Sequence, residues 1–189
     1  KRVICEKPLA DFVEQARDLD KISIDKNTAA TVCMNYRYIH AIRCIKHLIS
    51  SGEMGEIRHI FGSYNLDWAV NADTPMNWRL SDKLSPNGVL GDLGTHLIDM
   101  CRYMGLKFSE VCGMNEVYGK RRTSGEEYED TTSNELCLFN ARFQNGALGL
   151  FELSRVSGGG GGVFVEFHGT KGSVRWEKKN FNELMVHIS

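Results

Sequence analysis

The period of the hydrophobic pattern changes near Gly55, and this change constrains the fold of the chain more than any other feature. Before that point, strand and helix patterns alternate: a short buried strand at Val3 to Cys5, a helix from about Ala10 to Ile24, a strand from Ala29 to Met34, and a helix that ends at Gly52. Such alternation is typical of a parallel sheet covered by helices. Residues 1–55 are therefore predicted to form the last part of an α/β domain.

Beyond Gly55 the chain consists mainly of segments with the alternating pattern of strands. These are Ile57 to Trp68, Glu110 to Tyr118, Ser133 to Phe143, Ala147 to Val156, Val163 to His168 and Ser173 to Trp176. One helix is predicted between them, from about Val89 to Met104, and Asn145-Gly146 predicts a tight hairpin turn. Residues 56–189 are thus predicted to be an α+β unit, with a large, mostly antiparallel open sheet covered by helices on one face.

The composition is that of an ordinary globular chain. Of the 189 residues, 42% are hydrophobic and 25% charged, and the formal net charge of −1 gives no reason to expect binding to nucleic acid or to a membrane surface. The six cysteines have no paired spacing, which indicates reduced thiols in a cytoplasmic protein. Because the chain opens within a strand pattern and stops within an alternating one, both ends are interpreted as cuts.

The helix from Val89 to Met104 carries the strongest chemical signal. Asp92, His96 and Asp99 recur at spacings of four and three residues, which place them on one face. A carboxylate one turn from a histidine can orient the ring and stabilise its protonated form, an arrangement that suits a general base. The spacing by itself favours a surface helix whose charged groups face water. Clustered glycines shift the balance towards function, because they cost helix stability unless something approaches the backbone closely. They are Gly88, Gly91 and Gly94.

Four segments in register resemble one known family. They are Glu6-Lys7-Pro8, Asn35-Tyr36-Arg37, the run from Ser51 to Ile57, and the run from Gly91 to Asp99. Together they are similar to the glucose-fructose oxidoreductase / inositol dehydrogenase / rhizopine catabolism protein (Gfo/Idh/MocA) family, across nearly the whole chain. The resemblance implies an N-terminal Rossmann domain for NAD or NADP, of which residues 1–55 would be a remnant. It also implies that residues 56–189 form a substrate-binding and oligomerisation domain that is truncated at its C-terminus.

The resemblance implies an oxidoreductase that transfers a hydride between a nicotinamide and a hydroxyl carbon of a sugar, polyol or inositol. The family's catalytic residues fall on Lys7, Asp92 and His96. In that mechanism His96 removes the hydroxyl proton, Lys7 stabilises the developing alkoxide, and Asp92 binds the substrate or tunes the pair. Glu6, Lys7 and Arg79 are the expected cofactor contacts. Arg79, in the Trp78-Arg79 pair that family members often carry, could contact cofactor phosphate or substrate hydroxyls, and its role stays open against that of an ordinary exposed arginine.

The chain departs from the family in one respect that matters for the cofactor. No G-x-G-x-x-G turn follows an N-terminal strand, so binding of NAD or NADP by this chain is expected to be weak or absent. The five glycines from Gly158 to Gly162 do not replace that turn, because they lie between predicted strands and are interpreted as a loop. The resemblance also implies a cis peptide bond before Pro8.

Other polar residues are expected to have a structural role, or their role is left open. Arg37 is expected to form a structural ion pair, and Asp99 is left open between a catalytic and a structural role. His40, Cys44 and His47 have spacings compatible with a metal site on one helix, but that helix already has an apolar stripe and the family uses no metal. No metal is therefore expected.

Two other classes of function stay open: a non-enzymatic sugar-binding or oligomerisation module of the same fold, and NAD-dependent glycoside hydrolysis. The strands also predict self-association. Neither set of alternate residues in Ser133 to Phe143 is uniformly polar, so a monomer would expose apolar side chains on the open sheet. A homodimer or homotetramer formed through that sheet is expected. The alternative is that a further C-terminal segment covers this face.

Overall fold

The computed structural model describes residues 1–119, 121–125 and 127–189. The strands are β1 (Arg2–Cys5), β2 (Ala29–Val32), β3 (Ile57–Asn65), β4 (Phe108–Glu116), β5 (Arg121–Ser124), β6 (Glu127–Asp130), β7 (Leu136–Phe143), β8 (Leu148–Ser154), β9 (Gly162–Gly169), β10 (Gly172–Glu177) and β11 (Met185–Ile188). The α-helices are α1 (Val13–Asp25), α2 (His40–Ser50) and α3 (Thr95–Tyr103). A π-helical segment, Leu90–Gly94, leads directly into α3.

A seven-stranded sheet with the order β11-β10-β9-β3-β8-β7-β4 dominates the fold. Its neighbouring strands are antiparallel except for β3 and β8, which run parallel. β1 and β2 form a separate parallel pair, and β5 and β6 form a separate antiparallel hairpin. The predicted α+β class, with a large and mostly antiparallel sheet, is confirmed.

The alternation of apolar residues determines which face of the sheet is covered. On β7, Cys137, Phe139, Ala141 and Phe143 are buried, whereas the residues between them point to the other face. β8 follows the same rule, and its register with β7 is set by the predicted hairpin turn at Gly146, whose φ of +86° suits glycine. The hairpin prediction is therefore confirmed.

Helices α2 and α3 supply the layer that covers the buried face. Ile42 and Ile45 of α2 and Leu97 of α3 are fully buried in the same core as Trp176 of β10. Full burial of each aliphatic side chain contributes about 1.5–3 kcal/mol. The division of the chain at residue 55 stays a prediction, although α2, which precedes it, packs on the seven-stranded sheet.

The N-terminal pair of strands differs from the sequence prediction. The strand at Val3 to Cys5 was predicted to be buried, which is wrong: Val3 is 48% and Ile4 75% exposed. α1 begins at Val13 rather than near Ala10, and its apolar residues are also exposed. Two parallel strands and one helix cannot enclose both faces of a sheet, so their apolar side chains stay in contact with solvent.

The second face of the seven-stranded sheet, called here the open face, carries exposed apolar side chains on neighbouring strands. They are Phe61 of β3, Met114 of β4, Leu138 of β7 and Leu148 and Leu150 of β8. This mixed surface agrees with the strand patterns. Among the helices in the described ranges, none has the length and apolar character needed to cross a membrane.

Candidate active site

The helix that carries the predicted catalytic residues begins with a π-helical segment, which the sequence pattern did not predict. Asp92 lies in that segment, and His96 lies in the first turn of α3. Gly94 packs directly against β8: a Cβ atom at this position would lie 2.7 Å from Leu153 Cδ1. The glycine therefore permits the close approach of helix and sheet that the sequence indicated.

Lys7 and Asp92 are brought together across 85 residues of sequence. Lys7 follows β1 and precedes Pro8, and the peptide bond between them is cis, as the resemblance implied. The Lys7 ammonium donates hydrogen bonds to the Asp92 backbone oxygen at 2.5 Å and to Asp92 Oδ1 at 3.1 Å. These two bonds attach the segment after β1 to the π-helical segment.

Three cations surround the Asp92 carboxylate. Besides Lys7 on Oδ1, Arg155 Nη2 lies 3.2 Å and Arg79 Nε 3.4 Å from Oδ2. Burial by itself would raise the pKa of Asp92, but the charges of Lys7, Arg155 and Arg79 together hold this pKa below its ordinary value. The carboxylate is thus ionised at neutral pH.

His96 is buried in an aromatic environment. Its ring centroid lies 4.8 Å from that of Tyr36 and 5.7 Å from that of Tyr64, and the Tyr36 hydroxyl donates to the Tyr64 hydroxyl at 3.1 Å. Burial and the nearby Lys7 charge lower the pKa of His96 to about 4. Asp92 and Asp99 do favour the protonated imidazole, as the spacing indicated, but burial and Lys7 outweigh them. A neutral imidazole at neutral pH is the form that can accept a proton.

Asp99 has a structural partner. Arg37, in the 3₁₀ turn Asn35–Tyr38, donates from Nε to Asp99 Oδ2 at 2.9 Å and from Nη2 to Oδ1 at 2.5 Å. The predicted ion pair of Arg37 is confirmed. Both oxygens of Asp99 are thereby engaged, so the structure favours the structural role of the two that the sequence left open.

A cleft of about 310 Å³ opens beside Lys7 and Asp92. It is bordered by Glu6, Lys7, Trp78, Arg79 and Asp92, among other residues. The Arg79 guanidinium lies 4.2 Å from the Trp78 ring centroid, while its Nε faces Asp92. An aromatic ring, Trp78, and two cations, Lys7 and Arg79, thus line this cleft.

Several residues of this region were not predicted from the sequence. Tyr36 was quoted only as part of a motif, and Tyr64 and Arg155 were given no role. Arg155 is fully buried just after β8, yet a single arginine in a strand pattern carries no signal that distinguishes burial from exposure. No cluster of three or more potential metal-ligating side chains occurs within the described ranges.

Comparison with known proteins agrees with this geometry. A family model described as the GFO/IDH/MocA C-terminal domain matches residues 42–175. Levoglucosan dehydrogenase of Pseudarthrobacter phenanthrenivorans is 32% identical to the chain, in an alignment that covers 98% of this chain and 52% of that protein. Glucose-6-phosphate 3-dehydrogenase of Bacillus subtilis is 34% identical, over 69% of this chain and 36% of its own length.

Solved structures have the same fold over the whole chain. Levoglucosan dehydrogenase in complex with NADH and L-sorbose superposes with a TM-score of 0.94 at 33% identity, and covers 100% of this chain and 50% of that one. An oxidoreductase domain protein from Kribbella flavida gives a TM-score of 0.94 at 31% identity, with 100% and 51% covered. The chain thus spans about half the length of these relatives.

Proposed function

The chain belongs to the Gfo/Idh/MocA family, and on that premise we propose that it supplies the catalytic residues of a nicotinamide-dependent dehydrogenase of sugars, polyols or inositols. The observation that carries the proposal is the combination of a neutral, buried His96 with the Lys7–Asp92 pair. A proton acceptor and a fixed cation are the two groups needed to remove a hydroxyl proton and to stabilise the resulting oxygen charge.

Each residue has a defined task in this proposal. His96 accepts the hydroxyl proton at its imidazole. An ammonium group has three N–H donors, and Asp92 accepts two of those of Lys7, which leaves the third for the reacting oxygen. Asp92 holds the Lys7 ammonium in place. The nicotinamide, when bound, exchanges the hydride with the substrate carbon.

The cleft beside Lys7 is the proposed position of the nicotinamide end of the cofactor. Lys7 and Arg79 provide positive charge there, and exposed Glu6 provides a hydrogen-bond acceptor at the rim. The chain has no glycine-rich phosphate-binding turn, so we assign it no site for the pyrophosphate. Residues 1–55 are proposed to complete a dinucleotide-binding domain, which would also account for the exposed apolar side chains of β1 and α1.

The alternatives of a non-enzymatic module and of a glycoside hydrolase are not favoured. Relatives with assigned reactions are named as dehydrogenases, among them those of levoglucosan, glucose 6-phosphate, scyllo-inositol and D-xylose. We further propose that the open face mediates a homodimer or homotetramer, because it presents apolar side chains on several adjacent strands. A cytoplasmic location stays a prediction from the sequence.

The experiment uses the complete protein that contains this chain, assayed with NAD⁺ or NADP⁺ against a panel of sugars, anhydrosugars and inositols. We expect reduction of the cofactor with at least one of them, and a fall in kcat of roughly 100-fold or more in His96→Ala, since a general base contributes about 10²–10⁴-fold. His47→Ala, on α2, is the matched control and should keep the original rate. Wild-type turnover in His96→Ala would contradict the assigned base.

A further inference from the structure

Arg155 is the only charged side chain in contact with the candidate site, among the described residues, that is completely buried. Its Nη1 donates to the backbone oxygen of Arg79 at 2.6 Å, and its Nη2 donates to Asp92 Oδ2 at 3.2 Å. One planar guanidinium therefore joins the 3₁₀ turn Trp78–Leu80 to the π-helical segment. Arginine is suited to this task because its donors have fixed relative directions.

The surroundings of Arg155 are themselves fixed. Its backbone N–H donates to the Glu135 backbone oxygen at 2.9 Å, and its backbone oxygen accepts from Ala69 N at 3.0 Å. The carboxylate of Glu135, also fully buried, accepts hydrogen bonds from the backbone N–H groups of Tyr118 and Gly119 at 2.8 and 2.6 Å. The guanidinium thus extends from a rigid strand end towards Asp92.

Stability does not explain a guanidinium in this position. Its Nε has no hydrogen-bond partner among the described residues, and burial lowers the pKa of Arg155. A buried ion pair can often be replaced as a whole by apolar side chains of similar volume without loss of stability, so its presence alone is weak evidence for a stabilising role. A partly satisfied buried arginine beside a reactive pair is better explained by its effect on that pair.

We propose that Arg155 is a positioning residue that clamps the Asp92 carboxylate and the Arg79 main chain together. With Oδ2 held by Arg155, the carboxylate cannot rotate, and Oδ1 stays directed at the Lys7 ammonium. This contact therefore determines where the remaining N–H donor of Lys7 points. It also determines the position of the oxygen atom that this donor stabilises. The catalytic consequence rests on the proposed dehydrogenase function, whereas the clamp itself does not.

The test is a titration of the Asp92 carboxyl carbon by nuclear magnetic resonance in the 189-residue chain and in Arg155→Met. Loss of the clamping cation should raise the Asp92 pKa by about one unit, which is a tenfold change in proton affinity. Arg142→Met is the control, because Arg142 lies on β7 and pairs only with exposed Glu110 at 3.5 Å among the described partners. It should leave the Asp92 pKa unchanged. An unchanged Asp92 pKa in folded Arg155→Met would overturn the proposal.

A second measurement needs no substitution at Arg155, and it tests the contact between Arg155 and Asp92 even if Arg155→Met does not fold. In the unsubstituted chain, the Nη protons of Arg155 should exchange slowly with water and should lose this protection as Asp92 is protonated. Asp92→Asn should weaken the same protection at neutral pH. If the Nη resonances stay unchanged through the Asp92 titration, the clamp does not exist. Neither measurement uses a cofactor or a sugar, so failure of the dehydrogenase proposal would leave both results valid.

Discussion

Both carboxylate oxygens of Asp99 accept hydrogen bonds from the guanidinium of Arg37, at 2.9 and 2.5 Å. This pair ties the turn after β2 to α3, one helical turn beyond His96. Asp99 is 7% exposed, so its charge depends on Arg37 for compensation. The Arg37–Asp99 pair therefore has a structural role beside the candidate site and takes no part in its chemistry.

Removing this pair should destabilise the fold. We expect Arg37→Ala to lower the free energy of unfolding by about 2–4 kcal/mol, because it leaves a buried carboxylate without its partner. Urea denaturation of the chain measures this change. Arg142→Ala breaks an exposed pair and should cost less than about 1 kcal/mol. Equal effects of the two substitutions would show that the Arg37–Asp99 pair behaves as an ordinary surface contact.

His96 should titrate far below an ordinary histidine. Its folded-state pKa of about 4 lies below the unfolded value of 6.5 because of burial and Lys7, a difference of roughly 3 kcal/mol. Between these two values the unfolded chain binds more protons than the folded one. The contribution to stability is hence fully present above pH 6.5 and is lost as the pH falls through about 4.

Nuclear magnetic resonance of the imidazole protons measures the His96 pKa directly. His96→Gln identifies the resonance and should flatten the dependence of stability on pH within the same window. If the measured pKa of His96 lay near the ordinary value for histidine, the ring would be solvated. The imidazole would then be protonated in mild acid and could not act as a base there.

Gly94 should not tolerate a side chain. A Cβ atom there would lie 2.7 Å from Leu153 Cδ1 and 2.9 Å from Leu90 Cδ1, so the fully buried Leu153 side chain or the π-helical segment must shift. We expect Gly94→Ala to lower stability by about 1–3 kcal/mol, despite the better helix propensity of alanine. Gly158→Ala is the control in thermal denaturation, since its Cβ would meet only Val70 at an ordinary 3.8 Å. A stabilising effect of Gly94→Ala would contradict the close packing.

The 189-residue chain by itself should bind NAD(H) and NADP(H) very poorly. Lys7 and Arg79 border the cleft proposed for the nicotinamide end, but the chain has no glycine-rich turn to bind the pyrophosphate. Isothermal titration calorimetry at micromolar chain concentration is the measurement. Micromolar affinity for either dinucleotide would refute this expectation.

The open face should drive a discrete association. Leu150, 44% exposed near its centre, is paired with Phe61 across β3 and β8. We expect the chain to form a dimer or tetramer in light scattering, and Leu150→Asp to dissociate it. Ile24→Asp places the same charge on exposed α1, away from this face, and should leave the assembly intact. A well-behaved monomer of the unsubstituted chain would refute the proposal.

Acid should weaken the same assembly. The rings of His59 and His168 stack on the open face with centroids 4.0 Å apart, and Glu166 Oε1 lies 2.9 Å from His168 Nε2 while Oε2 binds Arg175. Burial and the neighbouring His168 lower the pKa of His59, so protonation of His59 in acid adds a positive charge beside the stacked ring of His168. Light scattering from pH 7.5 to 5 checks this expectation, with His59→Gln as the variant that should lose the dependence.

The spacing of apolar residues predicted the strands and helices whose burial depends on that spacing. The strands from β7 to β10 and the helix that ends at Gly52 were predicted within a few residues, because alternation and a glycine stop are local signals. The β5–β6 hairpin was missed, since Glu127–Asp130 has no alternating apolar pattern and all four of its residues are exposed. The parallel pairing of β3 with β8 was also missed, because no local pattern specifies a partner 90 residues away.

The candidate site was predictable only in part. Lys7, Asp92 and His96 were identified by resemblance, and the contact between Lys7 and Asp92 depends on tertiary packing that spacing cannot reveal. The low pKa of His96 results mainly from burial, which the sequence did not indicate. Burial lowers this pKa by more than the nearby carboxylates raise it. Arg155 acts through its position behind Asp92, and that position exists only in the folded sheet.

The place of β3 in the seven-stranded sheet imposes an order on folding. β3 is synthesised before both of its neighbours, β8 and β9, which lie between residues 148 and 169. During translation one edge of β3 stays unpaired until about 90 further residues have been added and the other until about 100, whereas the hairpins β7–β8 and β9–β10 can close as soon as they emerge. Until then β3 is an exposed apolar strand, and the nascent chain is most prone to aggregation in that interval. Insertion of β3 between two preformed hairpins is therefore the expected late and slow step of folding.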